Sequence, residues 1–194
     1  MTANPPPLPR RKLSKAIWLL IPLVLIGSTI LLLRITGLVR PFKIPTGGMA
    51  PAVSPGDHIL MEGISYLRHP PAFGDIVVHT ADGLPFPKGW FVHRLAGSPG
   101  DKIRIQDGHL YINDQLRPLT NSTGEILHLP PPGNAFKMLD LSTNYTVPPD
   151  HYFVLGDNST NSLDSRFWGP LPAKNIKGRI FRCYYPSSRS GPVK

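Results

Sequence analysis

The segment Phe42–Asp57, FKIPTGGMAPAVSPGD, follows a long apolar run. Two later segments share its mixture of apolar strand-like residues, polar side chains and turn signals: FVHRLAGSPGD at Phe91–Asp101 and VLGDNSTNSLDSRFWG at Val154–Gly169. Pro-Gly and Gly-Asp pairs of the kind found here mark tight turns between short strands. We therefore expect the two later segments to face the first, and we name the three the first, second and third segments.

The composition favours one β-rich domain. A chain of 194 residues can supply a real core behind a single anchor, and its 24 prolines and 18 glycines suit turns better than a helical bundle. The net charge of +9 is spread along the chain, and no basic helix with interleaved aromatic residues occurs. We therefore predict no nucleic-acid partner, and instead a basic surface near anionic membrane lipid.

The N-terminal sequence predicts a membrane anchor. Residues 1–15 are Pro-rich and basic without an acidic residue, which is typical of a disordered tail. Ala16–Leu33 carries no charge and ends without the small-residue exit site of a cleavable leader, so we predict an uncleaved transmembrane helix at 16–34. The positive-inside rule places the tail in the cytoplasm and residues 35–194 outside it. The protein is thus expected to be a single-pass protein of the plasma membrane.

The remaining sequence predicts an all-β, β-dominated domain of coiled antiparallel sheets, because short apolar runs alternate with turn signals and no long 3.6-residue period appears. KIRIQDGHLYI is the clearest hairpin, with Asp107-Gly108 at its turn. Residues 119–144 have the weakest pattern and are predicted to form a surface loop insertion. The predicted strands are HILMEG (58–63), DIVVHT (75–80), GWFVHRLAG (89–97), KIRIQ (102–106), HLYIND (109–114), HYFVLGD (151–157) and GRIFRCYY (178–185).

Several chemistries lack their sequence signatures. The seven histidines do not fall at metal-ligand spacings, and HExxH, CxxC, the P-loop and the glycine-rich dinucleotide motif are all missing from the sequence. Cys183 is the single cysteine, so it forms no intrachain disulfide. We therefore predict no metal and no cofactor.

The three segments resemble, in order and spacing, the signature boxes of the type I signal peptidases. These membrane-anchored serine endopeptidases remove leader peptides from exported proteins. Their first box reads Ile-Pro-Ser-x-Ser-Met-x-Pro followed by Gly-Asp, and here it reads Ile44-Pro-Thr-Gly-Gly-Met-Ala-Pro51 followed by Gly56-Asp57. The resemblance implies the fold of that family, a membrane-anchored extracytoplasmic domain, and leader peptides as partners.

Gly48 occupies the position of the nucleophilic serine in that family. Glycine has no side chain, so it cannot attack a carbonyl carbon. By resemblance, the Thr46 hydroxyl and the backbone N–H of Gly48 stabilise an oxyanion. The peptide-binding half of the site is therefore expected to persist while the attacking half is absent.

His93 stands where the bacterial enzymes have a lysine base, a position at which the eukaryotic and archaeal relatives use histidine. Histidine titrates near neutral pH without the burial that a lysine base requires. By resemblance, Ser162 hydrogen-bonds this base and orients it. Structural support is expected from Arg94, Asp157 and a salt bridge between Asp164 and Arg166.

Three hypotheses follow. The first is a protein of the peptidase fold that binds leader peptides and no longer cleaves them. The second is an active peptidase with rerouted chemistry, in which Thr46, Ser54 or a water attacks with His93 as base. The third is a non-enzymatic, membrane-anchored structural β domain. The missing side chain at Gly48 places the first hypothesis ahead of the second.

Overall fold

The computed structural model describes residues 15–85, 88–132 and 138–193. The chain divides into two compact units, Met1–Thr36 and Gly37–Lys194. The predicted tail at 1–15 lies outside the described residues except for Lys15, where the first helix begins.

Helix α1, Lys15–Ile35, forms the described part of the first unit. Its stretch Ile17–Ile35 has a mean hydropathy of 2.2 and is long and apolar enough to cross a membrane. The hydroxyls of Ser28 and Thr29 donate to the carbonyl of Leu25, so these polar groups are satisfied within the helix. The helix thus fits a membrane anchor.

The second unit is built from short strands, and all seven predicted strands are confirmed. Sequence reasoning missed the strand that precedes the first turn and several strands of two residues. The strands are β1 Val39–Lys43, β2 His58–Glu62, β3 Ile76–Thr80, β4 Trp90–Gly97, β5 Lys102–Gln106, β6 His109–Ile112, β7 Gln115–Leu116, β8 Thr120–Asn121, β9 Gly124–Glu125, β10 Tyr145–Thr146, β11 His151–Leu155, β12 Leu171–Pro172, β13 Ile176–Tyr185 and β14 Gly191–Pro192.

Within the described residues, the largest sheet has the order β1-β2-β13-β3-β4-β11-β12, and β14 also pairs with β13. Its pairings are antiparallel, which confirms the predicted β-dominated class. Strands β3 and β4 pair Val77 with His93 and His79 with Phe91. Because alternate residues of a strand share a face, this register makes His79 a diagonal neighbour of His93.

A smaller sheet has the order β10-β5-β6-β7. The predicted hairpin joins β5 to β6 and pairs Gln106 with His109. Asp107 and Gly108 have φ values of 52° and 82°, as a type I′ turn requires at both central positions. The Asp-Gly pair therefore specified this turn correctly.

Short helices complete the second unit. Helix α2 is Ser165–Trp168, and single 3₁₀ turns lie at Ser65–Leu67, Ser159–Asn161, Ala173–Asn175 and Ser187–Arg189. Asp164 caps α2 by accepting a hydrogen bond from the Arg166 N–H. The third segment therefore contains the end of β11, a turn and a capped helix.

The described residues of the segment 119–144, predicted to be a surface loop insertion, are mostly irregular and exposed, but some of them also enter the core. The segment holds only the short strands β8 and β9 among its described residues, but Leu119, Ile126 and Leu141 are buried in the same cluster as Ile103 and Leu110. Their irregular spacing matches neither strand nor helix period, so the pattern gave no sign of their burial. This segment supplies part of the core.

Candidate functional site

Gly48 lies in a turn between β1 and β2, where Ala50 N–H donates to the Gly47 carbonyl at 3.1 Å. Two hydrogen bonds from Asn158 fasten this turn to the third segment. The Asn158 N–H donates to the Gly48 carbonyl at 3.0 Å, and its Nδ2 donates to the Gly47 carbonyl at 3.1 Å. The first and third segments therefore meet, as their order in the sequence predicted.

A cleft of about 470 Å³ opens where the three segments come together. Thr46, Gly48, His93 and Ser162 all line it, so the four predicted site residues share one surface. The cleft walls are mostly apolar. They include Phe42, Ile44, Met49, Val78, Trp90 and Val92.

His93 is a buried residue of the cleft wall and is hydrogen-bonded to a second histidine. Its Nδ1 lies 2.8 Å from Nε2 of His79, whose own Nδ1 lies 3.1 Å from the Thr80 carbonyl oxygen. Burial lowers the pKa of His93 to about 4, while Asp164 raises it and Arg166 lowers it by smaller amounts. Burial and the neighbouring His93 lower the pKa of His79 to about 3. Both rings are therefore neutral at pH 7.

The prediction that Ser162 hydrogen-bonds His93 is wrong. Ser162 Oγ is buried and has no hydrogen-bond partner among the described residues. It packs against Gly156, where an added Cβ would overlap with this oxygen. Nδ1 of His93 instead makes a hydrogen bond with Nε2 of His79. Sequence reasoning missed His79, although a histidine inside the apolar run of β3 was a visible signal.

No hydroxyl among the described residues hydrogen-bonds to His93, so none replaces the missing serine. Thr46 is exposed at the cleft surface. Gly48 belongs to the turn that follows Thr46. Ser54 does not line the cleft; its N–H donates to Asp57 Oδ2, and Arg189 holds that carboxylate at 2.9 Å.

The space beside Gly48 can hold a side chain. A Cβ placed there would lie 3.4 Å from the Asn161 carbonyl oxygen and 3.9 Å from the Ser162 Cβ, which are ordinary van der Waals distances. The backbone φ of Gly48 lies outside the left-handed region, so a larger residue is not strained there. The turn itself therefore does not require glycine at this position.

Arg94 and Asp157 form a buried two-point ion pair, with Nε–Oδ1 and Nη2–Oδ2 distances of 2.8 Å. Nη1 of Arg94 also donates to the Gly74 carbonyl at 2.9 Å. Parallel hydrogen bonds of this kind fix direction as well as distance. The pair links β4, which carries His93, to the turn that follows β11.

Asp164 and Arg166 form the expected salt bridge, and both side chains are fully buried. Arg166 Nε and Nη2 donate to the two carboxylate oxygens at 2.8 and 2.9 Å. The carboxylate also accepts from the Gly156 N–H, and the guanidinium donates to the carbonyls of Leu129 and Ser159. Such complete pairing offsets the cost of burying two charges.

The sequence family is established by a match over most of the chain. The family model described as signal peptidase, peptidase S26, matches residues 15–185. The chain belongs to the signal peptidase family. The matched range includes the apolar helix and all three segments, which confirms the resemblance predicted from their motifs. Among the described residues of this signal peptidase homologue, no cluster of three or more His, Cys, Asp or Glu side chains could hold a metal ion.

Relatives of this signal peptidase homologue come from plants and bacteria. The chain is 34% identical over 170 residues to the probable thylakoidal processing peptidase 2 of Arabidopsis thaliana. The aligned region covers 85% of this chain and 43% of that protein. It is 33% identical over 178 residues to the probable signal peptidase I-1 of Synechocystis, which covers 89% of the chain and 85% of that protein. The chain thus spans less than half the length of the Arabidopsis relative.

A crystal structure of a signal peptidase I from Enterococcus faecalis is also similar. It shares 26% sequence identity, with a TM-score of 0.43. The match covers 57% of this chain and 97% of the other.

Proposed function

We propose that the protein binds leader peptides of exported proteins in the cleft and lacks the serine attack that would cleave them. The observation that carries this proposal is Gly48, which has no side chain at the nucleophile position of an otherwise assembled cleft. Removing a nucleophile lowers the rate of a serine peptidase by about a million-fold. Family membership supports leader peptides as the ligand.

The cleft offers both apolar surface and a backbone donor to such a peptide. Leader peptides end in small residues before their cleavage site, and these side chains suit a narrow apolar cleft. The Gly48 N–H donates to no described residue, so it is available to a peptide carbonyl. The Thr46 hydroxyl, exposed at the same surface, is a second candidate donor.

The membrane arrangement belongs to the same proposal. Helix α1 anchors the chain in the plasma membrane, in contact with lipid. The tail at 1–15 lies in the cytoplasm and the β domain outside it, because the tail is basic and has no acidic residue. No nucleic acid, metal or cofactor takes part.

Binding of a fluorescent leader peptide to the full-length protein in detergent micelles tests the proposal. Thr46→Trp places a large side chain in the cleft and is expected to weaken binding at least about tenfold. Leu67→Trp is the matched control, since Leu67 is exposed and does not line the cleft. Equal affinity for all three proteins would reject the cleft as the binding site and would favour a purely structural β domain.

The second candidate is an active peptidase in which a water attacks and His93 acts as base. The observation that favours it is the neutral His93 ring, which lines the same cleft as the open space at Gly48. Cleavage that requires His93 but gives no covalent adduct with an acylating inhibitor would support this route. An adduct on Thr46 or Ser54 would support the routes through those hydroxyls.

A further inference from the structure

His79 and His93 form a buried histidine pair outside the predicted dyad. His79 has no exposed surface and His93 only 6%, and their ring centroids lie 5.1 Å apart with ring planes 24° apart. The Nε2–Nδ1 distance of 2.8 Å is that of a full hydrogen bond. Because each neutral imidazole has one donor and one acceptor nitrogen, the neighbours of this pair determine where its protons lie.

The proton assignment starts at Thr80. Its carbonyl oxygen can only accept, so Nδ1 of His79 must carry the proton in the 3.1 Å contact. Nε2 of the neutral His79 is then an acceptor, and Nδ1 of His93 must donate to it. It follows that Nε2 of His93 holds a lone pair. This atom makes no hydrogen bond with a described residue. It is nevertheless accessible to solvent, since it is not one of the fully buried polar atoms that lack a partner.

We propose that His79 is a positioning residue that holds His93 in the tautomer with an unprotonated Nε2 available to the cleft that Gly48 also lines. This inference deepens the proposed function, on which it rests. It means that the base half of the site is complete, and that a hydroxyl introduced at position 48 would share one cleft with an unprotonated acceptor nitrogen. In serine peptidases with a histidine base, a carboxylate usually sets the tautomer, whereas here a neutral imidazole does so.

The proton balance of the Gly48→Ser variant follows from this arrangement. As the hydroxyl oxygen bonds to the peptide carbonyl carbon, its proton moves to Nε2 of His93, and the ring becomes a cation with its Nδ1 proton still donated to His79. The same proton then passes to the leaving amine nitrogen when the peptide bond breaks. The charged groups that act on His93 are Asp164 and Arg166, whose effects oppose each other.

Ring ¹⁵N NMR of the full-length protein in detergent micelles at pH 7 tests the tautomer directly. His93→Gln assigns the His93 signals by removing them. We expect the Nδ1–H tautomer in the natural chain, and a shift in His79→Phe toward the Nε2–H form that a free histidine side chain prefers. His79→Gln can still accept through its side-chain oxygen and is expected to retain the Nδ1–H form. An Nε2–H tautomer in the natural chain, or no change in His79→Phe, would overturn the proposal.

An activity measurement complements the spectrum. In the Gly48→Ser background, His79→Phe is expected to lower kcat about 100-fold or more with KM changed less than about twofold, while His79→Gln retains most of kcat. Equal kcat values for His79→Phe and the Gly48→Ser parent would refute the positioning role. Circular dichroism confirms folding of each variant. The NMR result does not depend on peptide binding or cleavage, so failure of the proposed function remains distinguishable.

Discussion

The loop around Asp164 and the turn around Gly48 border the same site but differ in how completely their polar groups are paired. Asp164 and Arg166 satisfy each other and also bond to surrounding backbone groups, although no part of either is exposed. Around Gly48, the part of the chain that the structure describes offers no hydrogen-bond partner to the Ser162 hydroxyl and no hydroxyl that hydrogen-bonds to His93. The supporting wall is therefore intact, and the deficit is confined to the position where attack would occur.

Restoring the hydroxyl is expected to produce the largest effect. Gly48→Ser should raise the rate of leader-peptide cleavage by at least about 10³-fold over the natural chain, because the cleft, the base and the space for a side chain are already present. The rate of product formation is measured by mass spectrometry of a leader-bearing substrate. Gly47→Ser is the matched control, since Gly47 neighbours Gly48 but does not line the cleft. Equal cleavage rates for Gly48→Ser and Gly47→Ser would contradict the claim that the deficit is confined to position 48.

Breaking the paired loop is expected to cost stability. Asp164→Asn leaves the Arg166 guanidinium without its counter-ion in a fully buried site, so the free energy of unfolding should fall by about 3–5 kcal/mol. Urea denaturation of the full-length protein measures the change. Glu125→Gln, which removes the partly exposed contact with His109, serves as control and should cost less than about 1 kcal/mol. A similar fall in the free energy of unfolding for both variants would show that the buried ion pair stabilises the fold no more than the partly exposed one.

Acid is expected to destabilise the β domain through its buried histidines. Burial lowers the pKa of His93 and of His128 to about 4 from an ordinary 6.5, so the folded chain binds fewer protons than the unfolded chain between these values. The contribution of these neutral histidines to the free energy of unfolding is therefore fully present above about pH 6.5, and it is lost as the pH falls toward 4. Each such histidine contributes a loss of about 3 kcal/mol.

His128 isolates one part of this acid effect, because both of its ring nitrogens lack partners among the described residues. Replacing it with a leucine removes one titrating group without breaking a hydrogen bond. The free energy of unfolding, measured by urea denaturation at pH 7 and at pH 4.5, should differ less between the two pH values for His128→Leu than for the natural chain. An unchanged difference would exclude His128 as a source of acid sensitivity.

The smallest effect is expected at Ser162. Its hydroxyl is buried without a partner, so Ser162→Ala should change the free energy of unfolding by less than about 1 kcal/mol, in either direction. The ¹⁵N spectrum of His93 should also remain unchanged, because His79 rather than Ser162 hydrogen-bonds to the ring. A changed tautomer in this variant would restore the orienting role predicted for Ser162 from the family resemblance.

Much of the architecture could be predicted from local pattern. Alternating apolar residues and turn dipeptides predicted the strands, and Asp107-Gly108 predicted the hairpin turn. The positions of Gly48 and His93 within the three segments predicted which residues would meet at the cleft. These features depend on local backbone preference or on motif order, and both can be read from the sequence.

Features that depend on sheet register could not be predicted in the same way. The contact of His79 with His93 requires β3 and β4 to pair Val77 with His93, and the sequence does not specify that offset. The hydroxyl of Ser162 lies against Gly156 and has no hydrogen-bond partner among the described residues, which the order of the motifs does not reveal. Tertiary packing decided both outcomes.

The most direct measurement of the central claim is a long incubation of excess full-length protein with a leader-bearing preprotein, analysed by intact-mass spectrometry. Natural chain and His93→Ala are compared under identical conditions. Our account predicts no product above the protein-free blank for either. Product at the leader junction that forms with the natural chain and disappears with His93→Ala would contradict the claim that the missing hydroxyl at Gly48 silences this site.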